Sequence, residues 1–228
     1  MTAAPQQLVF DLAHRQALGA EDFLVSSSNA AAVELIDSWP AWAYRACLVV
    51  GPAGSGKSHL ANVWQLKSSA ALFTAGKLSD ADVAALPEGS ALVVEDIDRG
   101  IADEQALFHL LNRVRESGLN VLMTSRIAAG DLQFRVPDLR SRLRALPMVE
   151  LDTPDEALLR AVLVKLFCDR QLNVDPAVIG YLCLRMERSM EAAARVVAAI
   201  DRLALATHRK VTRPLAAEAL ATLTEPRE

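Results

Sequence analysis

The run Cys47-Leu48-Val49-Val50-Gly51-Pro52-Ala53-Gly54-Ser55-Gly56-Lys57-Ser58-His59-Leu60 decides the fold. Four apolar residues of strand character meet a glycine-rich turn, and apolar positions then resume at helical spacing through Leu60, Ala61 and Val63. Glycines in such a turn let successive backbone N–H groups converge, and the new helix points its positive end into the same space, which makes an anion cradle. Lys57 adds a point charge suited to β- and γ-phosphates, and the Ser58 hydroxyl is placed to ligate Mg2+. Gly51, Pro52, Ala53, Gly54, Ser55, Gly56, Lys57 and Ser58 therefore read as a P-loop for ADP or ATP. A chance Gly-Lys-Ser in an ordinary turn is the competing reading, and the strand-turn-helix context counts against it.

Outward from this turn, short apolar runs alternate with helical patterns. Runs at Cys47 to Val50, Ala71 to Thr74, Ala91 to Val94, Asn120 to Thr124 and Met148 to Leu151 do not alternate with polar residues, which predicts strands buried on both faces of a parallel sheet. Helices are expected from about Lys57, Asp80 and Glu104, and an earlier one over roughly 29 to 39, with Ser28 and Asn29 as cap candidates and Trp39-Pro40 as its stop. After Leu151 the strand signals cease. Thr153-Pro154-Asp155-Glu156 predicts an N-cap at Thr153 with the proline at the first helical position, and further helices are expected from Pro176, from Ser189 to about His208, and from about Pro214. The expected organisation is a tail over 1–15, an α/β domain over 16–151 and a helical domain over 152–228.

Composition narrows the function classes. The chain has 228 residues, 52% of them hydrophobic, with 24 Lys and Arg against 28 Asp and Glu, enough apolar mass for a real core and no low-complexity signature. No apolar run approaches the ~18 residues of a membrane helix, and the first residues lack the basic start of a secretory signal, so a cytoplasmic location is expected. A sequence pI near 5.6 argues against bulk DNA binding through many neutralised phosphates. Cys47, Cys168 and Cys183 show no metal or disulfide spacing and read as core packing. Trp39, Trp42 and Trp64 read as packing anchors, and His14, His109 and His208 carry no assigned chemistry.

A second stretch adds chemistry to the P-loop. Leu92-Val93-Val94-Glu95-Asp96-Ile97-Asp98 ends an apolar strand in acids, the form of a Walker B segment in which one carboxylate serves the metal and the next orients the attacking water. Glu95 stands where an aspartate is usual and Asp96 follows it. Ser58, Glu95 and Asp96 are the candidate metal ligands, and which of the two acids faces the metal is left open.

Several strings together resemble the AAA+ initiator group, and within it the Hda branch of short DnaA homologues. They are Asp22-Phe23-Leu24-Val25 with Asn29; Gly56-Lys57-Ser58-His59-Leu60; Glu104 through Gly118; Val121-Leu122-Met123-Thr124-Ser125-Arg126, which lacks the family's aspartate after the serine; and Val136-Pro137-Asp138-Leu139-Arg140-Ser141-Arg142-Leu143. The resemblance implies a five-stranded parallel AAA+ sheet followed by a small helical lid, with adenine lying against Phe23, Leu24 and Val25 and with His59 at the P-loop exit. It also implies sensor I at Thr124 and an arginine finger, Arg142, offered to a neighbour's triphosphate. A planar, permanently charged guanidinium suits that task. The lid arginine of sensor II aligns with Glu191, so Arg188 or Arg195 would have to substitute. Gln7-Leu8-Val9-Phe10-Asp11-Leu12 resembles the sliding-clamp-binding peptide of the family, with Gln7, Leu8, Phe10 and Leu12 as contacts. The chain is also expected to lack the initiator's helix-turn-helix domain.

The function this implies is a nucleotide-bound, weakly hydrolysing regulator that sits on the DNA polymerase III sliding clamp and stimulates ATP hydrolysis by DnaA. Two other readings stay open: an autonomous ATPase of the helicase-loader type, and a DNA binder using Arg135, Arg140, Arg142 and Arg144. Whether the arginine acts on DnaA or on a second copy of the chain, in a homodimer, is not fixed by the sequence.

Overall fold

The computed structural model describes residues 24–224, and the chain divides between Thr153 and Pro154 into two compact units. In the first, five apolar runs form β1 (Ala46–Val50), β2 (Ala71–Thr74), β3 (Ala91–Glu95), β4 (Asn120–Ser125) and β5 (Met148–Glu150). They join as one sheet in the order β2-β3-β4-β1-β5, every neighbouring pair parallel. Five helices connect and cover it: α1 (Ala30–Asp37), α2 (Lys57–Ser68), α3 (Asp80–Ala85), α4 (Glu104–Glu116) and α5 (Pro137–Arg144).

The continuous apolar runs have a direct cause. Along β1, Ala46, Leu48 and Val50 enter the core that also holds Leu107 and Leu110 of α4, while Cys47 and Val49 enter the opposite core with Leu60 and Trp64 of α2. β3 divides in the same way, with Leu92 and Val94 on one face and Ala91 and Val93 on the other. Successive strand side chains point to opposite faces, so a strand covered on both sides needs apolar residues at every position. The expectation fails at the edges. Leu72 of β2 is 41% exposed and Met148 of β5 is 46% exposed, because each of these strands has a neighbour on one side only.

The tryptophans anchor the α2 face. Trp64 is fully buried, stacked on Trp42 at 5.1 Å and met edge-on by Trp39 at 6.2 Å. Cys47 is buried, and burial pushes its thiol pKa far upward. Cys168 is exposed, which corrects the reading of all three cysteines as core residues. It lies near the C-terminal end of its helix, where a small side chain is tolerated at the surface.

The second unit contains α6 (Glu156–Asp169), α7 (Pro176–Arg185), α8 (Met190–Thr207) and α9 (Arg213–Thr224) around one core that includes Leu163, Phe167, Ile179, Leu182, Val197, Ile200 and Leu215. Local capping starts each of the first three. Asp155, Asp175 and Ser189 accept hydrogen bonds from Leu158, Ala177 and Ala192 N–H at 2.7, 2.7 and 3.0 Å, satisfying donors that a helix start leaves unpaired. The cap of α6 is Asp155 rather than Thr153, so Pro154 precedes the helix. A carboxylate two residues further on competes successfully for the free N–H groups. The architecture is thus α/β, with a five-stranded parallel sheet and a following all-helical unit.

Candidate nucleotide-phosphate site

Parallel strands bring their C-terminal ends to one rim, and β1, β4 and β3 lie side by side there. At such a rim, where neighbouring connections diverge, α/β sheets place their ligands. Val50 is in register with Ser125, and Gly51 N–H donates to Ser125 O at 3.1 Å. On the other side of β4, Asp96 N–H donates to Thr124 Oγ1 at 3.1 Å and Ile97 N–H to Thr124 O at 3.0 Å. Buried Thr124 therefore stands between the P-loop and the acidic strand end and fixes the backbone that carries Asp96.

The turn is shaped by backbone freedom. Gly54 and Gly56 have φ of 72° and 105°, a region that L side chains rarely occupy. A Cβ on Gly51 would collide with the Leu151 carbonyl and stand 2.8 Å from Ser55 Oγ. α2 starts at Lys57 with Gly56 as N-cap and no capping side chain, so the positive end of the helix meets the turn directly. Lys57 is buried, and its ammonium donates to Gly51 O at 2.7 Å and Pro52 O at 2.8 Å. Burial lowers its pKa below the ordinary lysine value, the Arg126 guanidinium adds to that, and Asp96, Asp98 and Glu95 oppose it.

Two oxygens at this rim are buried with no hydrogen-bond partner: Ser55 Oγ in the turn and Glu95 Oε1 at the end of β3. Buried polar atoms are ordinarily satisfied, so orphans of this kind mark places where a further donor or cation belongs. Asp96, at φ 59°, holds its carboxylate 3.5 Å from Arg99. Among the described residues no group of three or more His, Cys, Asp or Glu side chains is arranged for a metal. A divalent ion at Ser58, Glu95 and Asp96 would draw its other ligands from phosphate and water, as Mg2+ commonly does. Turn, lysine, orphaned oxygens and acids together fit a nucleotide with its magnesium.

The remaining candidate residues fall as follows. Phe23, Gln7, Leu8, Phe10 and Leu12 lie outside the described residues. Leu24 is half-buried and its carbonyl accepts from Asn29 Nδ2 at 2.9 Å, while Val25 is 60% exposed. Asn29 precedes α1 without a side-chain cap bond; it instead stitches the segment before the helix, accepting from Ser26 N–H at 2.8 Å. That segment reaches the site's flank, since Asp152 N–H donates to Ser28 O at 3.1 Å, one residue beyond the Leu151 carbonyl that crowds Gly51. Pro52, Ala53 and Ser58 are exposed and His59 is half-buried.

Arg142, on α5, is half-buried. Its guanidinium lies over the Phe108 ring, 4.4 Å from the centroid, and one edge nitrogen donates to Asn112 Oδ1. Both partners belong to α4, so this arginine is clasped by its own subunit. Arg140 beside it is exposed, and Arg144 donates to Gly130 O at 3.1 Å. Two residues missed as site members join the rim: Asp98, whose Oδ1 accepts from Arg126 N–H at 3.0 Å, and Arg126 itself, whose charge bears on Lys57. The basic residue directly after Thr124-Ser125 was the available signal.

Comparison with known proteins places this geometry. Residues 156–220 match the family model described as Hda, lid domain. A Haemophilus influenzae protein described as uncharacterised is 24% identical over 177 residues, covering 72% of this chain and 76% of its own. Domain III of the Thermotoga maritima replication initiation protein DnaA superposes with a TM-score of 0.74 at 15% identity, over 98% of this chain and all of that one. The replication initiator DnaA bound to AMPPCP and single-stranded DNA gives 0.67 at 16% identity, over 79% of this chain. The present chain covers 63% of that protein, less than two thirds of it. No helix among the described residues is long and apolar enough to cross a membrane. A helical unit that matches the Hda lid domain over residues 156–220 thus follows a P-loop sheet with the fold of DnaA domain III.

Proposed function

We propose that this protein is an adenine-nucleotide-binding regulator of replication initiation that acts in the cytoplasm. It attaches to the sliding clamp through Gln7, Leu8, Phe10 and Leu12, and it stimulates ATP hydrolysis by DnaA with Arg142. The observation that carries the reading is the Hda lid domain over 156–220 in a chain whose sheet has the DnaA fold. Gly51 to Lys57 hold the phosphates, and Ser58 with Glu95 or Asp96 holds magnesium. The bound group supplies compact negative charge that the buried Lys57 and the positive N-terminal end of α2 are built to meet. Leu24 and Val25, with Phe23, flank the base, and His59 stands in the first turn of α2. Thr124 positions Asp96.

A finger role for Arg142 would have to use what this clasp leaves over. Stacking on Phe108 engages the face of the guanidinium, and Asn112 takes one edge donor. The other edge donors stay available to a neighbour's phosphate oxygens, already oriented and at low entropic cost.

The test is reconstitution of DnaA carrying labelled ATP with clamp loaded on DNA and this protein. Wild-type protein is expected to accelerate hydrolysis, and Arg142→Ala to lose about 10³-fold or more of that stimulation with nucleotide binding retained. Full stimulation by Arg142→Ala removes the finger assignment. Undiminished stimulation after Gln7→Ala with Leu8→Ala removes the clamp assignment. Steady turnover by the isolated protein that Lys57→Ala abolishes favours the helicase-loader reading instead.

A further inference from the structure

The second unit carries a surface that the nucleotide site does not use. Helix α7 buries Val178, Ile179, Leu182 and Cys183 in the lid core, and its opposite stripe is Ala177, Gly180, Tyr181, Leu184 and Arg185, at the three- and four-residue spacing of one helix face. With Glu156 and Arg160 of α6 and Arg213 of α9, this stripe lines a shallow hollow of about 500 Å3. Leu184 is 75% exposed. Gly180 lies beside Arg160, where a Cβ would make an ordinary contact with Nη1 at 3.9 Å.

Charge in the hollow is uneven. Glu156 accepts from Arg160 at 3.1 Å and offsets it, which leaves Arg185 and Arg213 as the excess. Arg213 spends only its Nε, donating to Ala177 O at 3.3 Å. Arg185 lies over the Tyr181 ring, 4.3 Å from its centroid. Such stacking occupies the face of the guanidinium and leaves its in-plane N–H donors for an anion.

We infer that this hollow is a docking surface for an acidic, amphipathic segment of a partner protein, with carboxylates on Arg185 and Arg213 and an apolar side chain on Leu184. Two observations favour a protein over a nucleic acid. An exposed leucine at the middle of the cations offers nothing to a phosphate backbone, while apolar anchors ringed by charge are usual between proteins. The aromatic that could stack a base, Tyr181, is already covered by Arg185. The small residues Ala177 and Gly180 leave room for a partner backbone to approach. The inference is independent of the nucleotide site.

The experiment uses the full chain and a fluorescent ~12-residue helical peptide with Glu and Leu at positions i and i+4, read by anisotropy. Binding is expected. It should weaken at least about tenfold in Arg185→Ala with Arg213→Ala, and several-fold in Leu184→Ser, with helical circular dichroism unchanged in each. The same peptide with Lys in place of Glu should not bind. Absence of peptide binding, or equal binding by the double variant, overturns the proposal. So does oligo-dT binding that the double variant abolishes, which would assign the surface to nucleic acid. Self-association that the double variant abolishes would also overturn it, assigning the surface to a second copy.

Discussion

The strand-end rim of the sheet unit and the hollow of the lid both gather cations, but they are made of different parts. At the rim the backbone does most of the work: a glycine turn, the N-terminal end of α2 with no capping side chain, and a lysine whose ammonium is bonded to two carbonyls. In the lid the site is a row of exposed side chains on one helix face, with arginines held by an aromatic ring and a carbonyl. A concave cradle of fixed N–H dipoles suits a compact, multiply charged group, because its donors need no reorganisation on binding. A shallow row of guanidinium edges suits an extended partner that meets it along its length. The lesson is that gathered positive charge implies different ligands according to what supports it.

That contrast can be broken most severely from behind the rim. Trp64→Ala removes the fully buried ring under α2 and is expected to cost ~3–5 kcal/mol, read from urea unfolding; a loss under ~1 kcal/mol would show that the tryptophan cluster does not brace the turn. Phe167→Ala is expected to cost the lid a similar ~3–5 kcal/mol, followed by far-ultraviolet circular dichroism. Lys57→Ala should lower nucleotide affinity roughly a hundredfold while the urea midpoint stays near wild type; a large fall in stability would mean the lysine is structural.

Arg126→Ala sharpens the picture of the rim. Removing its guanidinium should weaken nucleotide binding several-fold and raise the Lys57 pKa, since the arginine lowers it; isothermal titration reads the first and side-chain NMR the second. Ser189→Ala, the cap of α8, and Ser79→Ala, the cap of α3, should each cost ~1 kcal/mol. Ser79 also donates from its hydroxyl and backbone N–H to Asp82, and these bonds hold the Asp82 carboxyl below the ordinary aspartate value of 3.8. The stability this contributes is present above that value and is lost as pH falls through the lower, folded-state pKa. Thermal melts across that acid range should therefore show a shallower decline for Ser79→Ala than for wild type.

Much of the sheet unit could be read along the chain. The P-loop, the five strand positions and the helix starts at Lys57, Asp80 and Glu104 all rest on neighbours a few residues apart. What failed were statements about covering and competition. β2 and β5 read as buried because their residues are apolar, yet edge position is set by strand order, which no local pattern encodes. The cap of α6 was misplaced because Thr153 and Asp155 both qualify and only the folded turn decides between them. Asp98 and Arg126 lie 28 residues apart, so their meeting at the rim could not be inferred from spacing.

By itself the sequence determined the chemistry on offer: a glycine turn ending in Lys57-Ser58, a strand ending in Glu95 and Asp96, and an arginine-rich segment around Arg142. These are local facts, fixed by steric freedom, periodicity and charge. The tertiary structure alone decided that Thr124 separates the P-loop from the acids and that Ser55 and Glu95 keep unsatisfied oxygens there. It also decided that Phe108 and Asn112 clasp Arg142, and that α7 turns Leu184, Arg185 and Tyr181 outward. Each of these depends on which elements pack side by side, and burial is a property of neighbours in space rather than of neighbours in the chain.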